Sequence, residues 1–229
     1  MLYLLDRDGV LNVDVGSPGV VDVANLRLLE GAAEAVASMK KAGHRTAMVT
    51  NQSCIRKGLA TREDIDAINE ELRRLLSAAD GAAQVDAVFV AEGVDACPYR
   101  LKPEPDLLLA AMDHMGIPVS RSVLIGDSKT DIWAAARAGL PRAALVLSSH
   151  HGKSFFAELR ECGALTEYLP SNDRGEGAES LIASGPVVCP SGSSIELAVF
   201  LDIEAAARAL PLLPPAGCLP LAVRSGRRK

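Results

Sequence analysis

Acidic, hydroxyl and cationic side chains stand at the ends of several short apolar runs in this chain. Leu2-Tyr3-Leu4-Leu5 leads directly into Asp6-Arg7-Asp8-Gly9. An apolar run of that length, ended by a turn signal, predicts a strand buried on both faces. Strand side chains alternate, so Asp6 and Asp8 leave its end pointing the same way. Two carboxylates so placed repel each other unless a cation or a shared proton relieves them. Gly9 lets the chain turn away tightly. Further clusters follow further predicted strands: Thr50 and Asn51 after Thr46–Val49, Lys102 beyond Val85–Val90, and Asp127 with Asp131 after Val123–Ile125. A hydroxyl and an ammonium hold anionic oxygens, and carboxylates suit a hard divalent cation. The chemistry these residues could do together is therefore work on an anion beside a bound metal.

Helices must carry the chain between those strands. Apolar spacing predicts one from about Leu29 to Ala42, stopped by Gly43, and another over Arg62 to Ala79 with Thr61 as cap and Asp64 three residues on. Two more are expected from Asp106 to about Met115 and from Ile132 to Ala138, with a fifth strand at Ala143–Leu147. This alternation predicts an α/β fold: a doubly wound, Rossmann-like parallel sheet with helices on both faces. Ligands bind such sheets at the carboxyl ends of the strands, where every cluster above falls. Residues 1–150 are read as the catalytic core and 151–229 as a C-terminal extension. Within the extension, the Ser-, Gly-, Glu- and Pro-rich stretch 171–194 reads as a flexible loop, and Ile195 to Leu210 as a terminal helix packing on the core.

Bulk properties exclude several classes. With 48% hydrophobic and 23% charged residues over 229 positions, the chain is globular and long enough to bury a full core. Its net charge of −5 argues against nucleic acid as the main partner. Cysteines 54, 97, 162, 189 and 218 are scattered and odd in number, which fits a reducing cytoplasm better than a disulfide framework. No signal peptide or membrane span is expected. A monomer or weak homodimer is anticipated. His44, His114, His150 and His151 show no partner spacing and read as bystanders, and Lys129 as a solvated turn residue.

Asp6-Arg7-Asp8-Gly9-Val10-Leu11-Asn12 resembles the first motif of the haloacid dehalogenase superfamily, most of whose members are phosphohydrolases. Thr50 matches the second motif of that family, Lys102 the third, and Gly126-Asp127-Ser128-Lys129-Thr130-Asp131 the fourth. The resemblance covers residues 2 to about 147. It implies Asp6 as nucleophile, Asp8 as general acid/base and Mg²⁺ beside them. The chemistry is coherent for a phosphate monoester. Asp6 attacks phosphorus, Asp8 moves the protons, and Thr50 and Lys102 hold the phosphoryl oxygens. Metal ligands are expected from Asp6, Asp8 and Asp127, with Asp131 orienting Lys102 or a metal-bound water.

The intervals after the first and second motifs leave no room for a cap domain, so an open, loop-shaped site is expected. Asp-Arg-Asp-Gly-Val-Leu-Asn with Thr50-Asn51-Gln52-Ser53 looks like the capless branch that holds histidinol-phosphate and D-glycero-D-manno-heptose 1,7-bisphosphate phosphatases. The resemblance then places Asp14, Gly16, Ser17, Asn51, Gln52, Ser53 and Arg100 against substrate. Two departures stand out. Relatives commonly carry a zinc loop of which only Cys97-Pro98 survives here, so no structural zinc is expected. The usual Arg before the third-motif Lys is Leu101, with Arg100 one place off. The segment Asn12 to Gly16 favours the heptose bisphosphate over histidinol phosphate. A fold retained as a catalytically silent binding module is the alternative from another class, and the intact Asp6, Asp8, Lys102 and Asp127 speak against it.

Overall fold

The protein's structure, a computed structural model, describes residues 1–167 and 181–212. One sheet of eight strands runs through it in the order β3-β2-β1-β4-β5-β8-β7-β6. The strands are β1 (Leu2–Leu5), β2 (Arg45–Asn51), β3 (Ala87–Ala91), β4 (Ser122–Gly126), β5 (Arg142–Val146), β6 (Thr166–Glu167), β7 (Leu181–Val188) and β8 (Ser194–Phe200). From β3 to β8 all neighbours are parallel, while β7 and β6 close that edge antiparallel. The expected doubly wound α/β fold is thus observed.

Alternation in β1 shows why this sheet must be covered on both sides. Tyr3 and Leu5 join Met48, Ile65 and Ile203 in one apolar cluster, whereas Leu2 and Leu4 join Val49, Leu108 and Ile132 in another. The first cluster is closed by α1 (Ala32–Lys41), α2 (Arg62–Ala79) and α6 (Ile203–Ala209), the second by α3 (Asp106–Met115), α4 (Lys129–Arg137) and α5 (His150–Glu161). With every β1 side chain fully buried, these apolar contacts are the main stabilising term for the sheet centre. The chain leaves β1 toward β2 and β3, then returns to the other side of β1 as β4. The crevice at that reversal is where Asp6 emerges.

Local signals acted as read in α2, where Thr61 and Asp64 form a reciprocal capping box. Helix α4 begins earlier than expected, because Ser128 caps it through a second such box with Asp131. Lys129 and Asp131 therefore lie in the first turn of a helix. The larger departures lie beyond Ser148. Helix α5 was not anticipated. Residues 181–188 form β7 where a loop was expected, and 194–200 form β8 where a helix was expected. In β8, Ile195, Leu197 and Val199 face one core and Ala198 and Phe200 the other. A strand buried on both faces loses its alternation and resembles a buried helix. The remainder of the expected 171–194 loop, up to residue 180, lies outside the described residues.

Candidate active site

At the carboxyl edge of β1, Asp6 sits in a turn whose backbone is pinned by Asp6 N–H donating to the Ile125 carbonyl at 3.0 Å and Arg7 N–H donating to Asp6 Oδ1 at 2.7 Å. The Lys102 ammonium lies 2.8 Å from Asp6 Oδ1 and 2.5 Å from Asp131 Oδ1, and also donates to the Val49 carbonyl at 2.9 Å. Lys102 is brought there by Asn51, whose side-chain amide bonds both the backbone N–H and the carbonyl of Lys102. Burial works against the ammonium, but Asp131 and Asp6 more than offset it and hold its pKa above the ordinary lysine value. Asp131 also accepts from Ser128 N–H and Oγ. It is fully buried and paired directly with the Lys102 ammonium.

Ligand-type oxygens of Asp6, Asp127 and Asp131 come within 4.8 Å of one another. Desolvation first, then the charge of Asp131, raises the Asp6 carboxyl to about 7. Desolvation, then the charge of Asp6, raises Asp127 to about 8. Lys102 neutralises one side of the group, whereas Asp127 has no cationic side chain in contact among the described residues. Gly9 permits this packing. It has φ 78°, and a Cβ there would lie 2.0 Å from Asp127 Oδ2. Clustered, buried, all-oxygen donors with uncompensated negative charge fit a hard divalent cation such as Mg²⁺.

Asp8 lies in a different environment. Arg7, with no exposed surface, places its guanidinium against both Asp8 oxygens at 3.0–3.2 Å and donates its remaining branch to Asn69 of α2 at 3.1 Å. Asn12 and Gln52 donate to the same carboxylate at 3.0 and 3.1 Å. The Asp8 side chain, expected as a metal ligand, is instead seen bonded to these donors. Its oxygens are engaged by four donor groups, while the acidic cluster itself is made of Asp6, Asp127 and Asp131.

Asp6, Asp8, Thr50, Lys102 and Asp127 line a cavity of about 630 Å³ together with Asp14, Gly16, Ser17, Asn51, Gln52 and Ser53. Gln52 is buried and bridges Asp8 and Thr50, the latter at 2.8 Å, so it orders the floor more than it offers a free hydrogen-bonding face. Of the expected site residues, Asp131 lies buried behind Lys102, and Arg100 lies apart from the site altogether. It does not reach the cavity, because Asp106 and Glu104 hold its guanidinium at the surface at 2.8 and 3.3 Å. Sequence reasoning missed Arg7, Asn12 and Asn69, which carry Asp8, and Ser149, which is buried and bonds the Asp127 carboxylate. It also set aside His150, His151 and Lys129, all of which line the cavity. The available signal was an arginine set between two acids at the end of an apolar run. The α5 residues offered none, since only the path of the chain after β5 brings them to the site.

The model of the haloacid dehalogenase-like hydrolase family matches residues 2–139. The chain belongs to that family, and the fold and the site agree with it. A D-glycero-beta-D-manno-heptose-1,7-bisphosphate 7-phosphatase of Vibrio cholerae is 32% identical over 151 residues, covering 62% of this chain and 78% of that protein. The protein of the same name from Yersinia pestis is 33% identical over 163 residues, covering 67% and 82%. Among solved structures, a D,D-heptose 1,7-bisphosphate phosphatase from B. bronchiseptica, complexed with magnesium and phosphate, superposes with TM-score 0.68 at 26% identity. That superposition covers 92% of this chain and 98% of the other. With these relatives, the chain is a phosphatase.

Proposed function

We propose that this phosphatase removes a phosphoryl group from a phosphorylated sugar through an aspartyl-phosphate on Asp6. D-glycero-D-manno-heptose 1,7-bisphosphate, cleaved at the 7-phosphate, is the leading substrate. The observation that carries the reading is the contrast between two neighbouring carboxylates in one cavity, one against Lys102 and the acidic cluster, the other clamped by Arg7. Asp6 Oδ attacks phosphorus as the ester oxygen departs. Asp8 gives that oxygen its proton, then takes one from the water that attacks phosphorus and releases Asp6. Arg7, Asn12 and Gln52 fix Asp8 in place for both transfers. Thr50 and Lys102 hold phosphoryl oxygens, where developing charge is best stabilised.

Asp6 and Asp127 would hold Mg²⁺, with Asp131 behind them through Lys102. When bound, the ion screens nucleophile from phosphate and offsets charge in the transition state. The B. bronchiseptica relative was solved with magnesium and phosphate, which supports that assignment. The unpaired thiols of Cys54, Cys97, Cys162 and Cys189 suit a reducing cytoplasm as the setting.

The test is phosphate release from a panel of sugar phosphates and histidinol phosphate, with Mg²⁺ and with chelator, for wild type and Asp6→Asn. Selective release from the heptose bisphosphate that needs Mg²⁺ and is lost in the variant is expected. Preference for histidinol phosphate would replace the substrate, and release persisting in Asp6→Asn would overturn the mechanism.

A further inference from the structure

One wall of the cavity comes from outside the residues matched by the family model. His150 and His151, the first residues of α5, reach the cavity, as does Lys57 in the turn that follows β2. The charged groups around them are already matched. Lys102 is held by Asp6 and Asp131, Arg7 by Asp8, and Lys129 by Glu158 at 2.5 Å while lying 4.9 Å over the Trp133 ring. His151 Nε2 stands 3.8 Å from Asp14. Among the described residues, the Lys57 ammonium has no ion-pair partner, and His150 meets only the His151 ring, with centroids 6.2 Å apart. Two imidazoles and an ammonium, still able to donate, thus line a cavity whose catalytic end already holds its own cation.

A cavity of about 630 Å³ is in the range that encloses a whole small-molecule ligand, and a single phosphoryl group at Asp6 fills only part of it. We propose that His150, His151 and Lys57 form a second anion subsite that takes the phosphate which is not cleaved, so that the enzyme selects sugar bisphosphates over monophosphates. This rests on the phosphatase reading above. The donors suit the task, because imidazole N–H and ammonium both bond phosphoryl oxygens with charge assistance. None of the three touches the acidic cluster, so their loss bears on substrate affinity and leaves the chemistry at Asp6 in place.

The test uses full-length Asp6→Asn protein loaded with Mg²⁺, titrated by calorimetry with heptose 1,7-bisphosphate and with heptose 7-phosphate. The parent is expected to bind the bisphosphate about tenfold more tightly or better, as one charge-assisted group of contacts allows. Adding His150→Ala with His151→Ala, or Lys57→Ala, is expected to shrink that advantage severalfold while the affinity for the 7-phosphate stays unchanged. A bisphosphate advantage retained in all these variants, or absent in the parent, would overturn the subsite. Wild-type phosphate release from both compounds is measured alongside. Release without a bisphosphate advantage defeats the subsite alone, whereas no release from either compound defeats the phosphatase reading on which it rests.

Discussion

Asp6 and Asp8 are two residues apart on one turn and line one cavity, yet the protein surrounds them with opposite groups. Asp6 shares its space with Asp127 and Asp131 and has Lys102 on one side only; burial first, then the charge of Asp131, pushes it up to about 7. Asp8 is gripped by a guanidinium, two amides and nothing acidic beyond its neighbour on the turn. The difference teaches how one dipeptide spacing yields two roles. On the proposed mechanism, a buried carboxyl crowded by like charge suits a metal and a nucleophile, while a fixed cation suits a stationary carboxylate that passes protons. Environments that differ this much around two carboxylates are how acid/base assignments are recognised generally.

The comparison can be broken in several places. The largest effect is expected at its charged centre. Lys102→Ala removes the only cation paired with Asp6 among the described residues and should lower kcat by about 10²-fold or more, as loss of a principal charge stabiliser does. A near-wild-type rate would remove Lys102 from the site. Asp8→Asn should cost about 10²–10⁴-fold through lost proton transfer, with the metal requirement unchanged if Asp8 is not a ligand. A large rise in the Mg²⁺ concentration needed for activity would restore it as one.

The supports of the two acids should separate in the same way, with smaller effects. Asn69→Ala leaves the buried Arg7 branch without its acceptor, and should lower kcat severalfold and stability by about 1–3 kcal/mol. Ser149→Ala should weaken Mg²⁺ binding by a few fold, measured by calorimetry, with little change at Asp8. Equal effects of both variants on metal binding would erase the distinction between the two environments.

The raised carboxyls make a pH prediction. Asp6 and Asp127 sit above their ordinary values, so the folded state holds protons that the unfolded chain has already released. In chelator, stability from these groups falls as pH rises from the ordinary carboxylate range through about 7 to 8, and then levels. Bound Mg²⁺ offsets the same repulsion, so the gain in Tm on adding it should be small at acidic pH and larger above about 8. A constant increment across that range would mean the ion binds elsewhere. Arg100→Ala is the smallest case. With its guanidinium at the surface against Asp106, kcat/KM should change by less than about twofold.

Much of the comparison was legible beforehand. Apolar runs that end in Asp6, Thr50 and Asp127 mark strand ends, and a parallel sheet collects its strand ends at one edge. What was not legible follows from tertiary packing. Arg7 reads as a surface charge until α2 brings Asn69 against it. His150 reads as a bystander because α5 has few apolar positions, Phe155 and Leu159 chief among them, and Gly152 packs directly on the Val146 carbonyl. Strand β8 is apolar on both faces, so its sequence carries no period to separate strand from helix. Arg100 was placed at the site by adjacency to Lys102, but the local pairing with Asp106 turns it outward.

The most direct measurement of the difference between Asp6 and Asp8 is acid-quenched trapping of the phosphoenzyme. Substrate carrying ³²P in the cleaved phosphoryl group would be mixed with wild type, Asp8→Asn and Asp6→Asn, and labelled peptides mapped. Label on Asp6, enriched in Asp8→Asn and absent from Asp6→Asn, is expected. Label on Asp8 or on any other side chain, or turnover without a labelled enzyme in all three, would contradict the assignment.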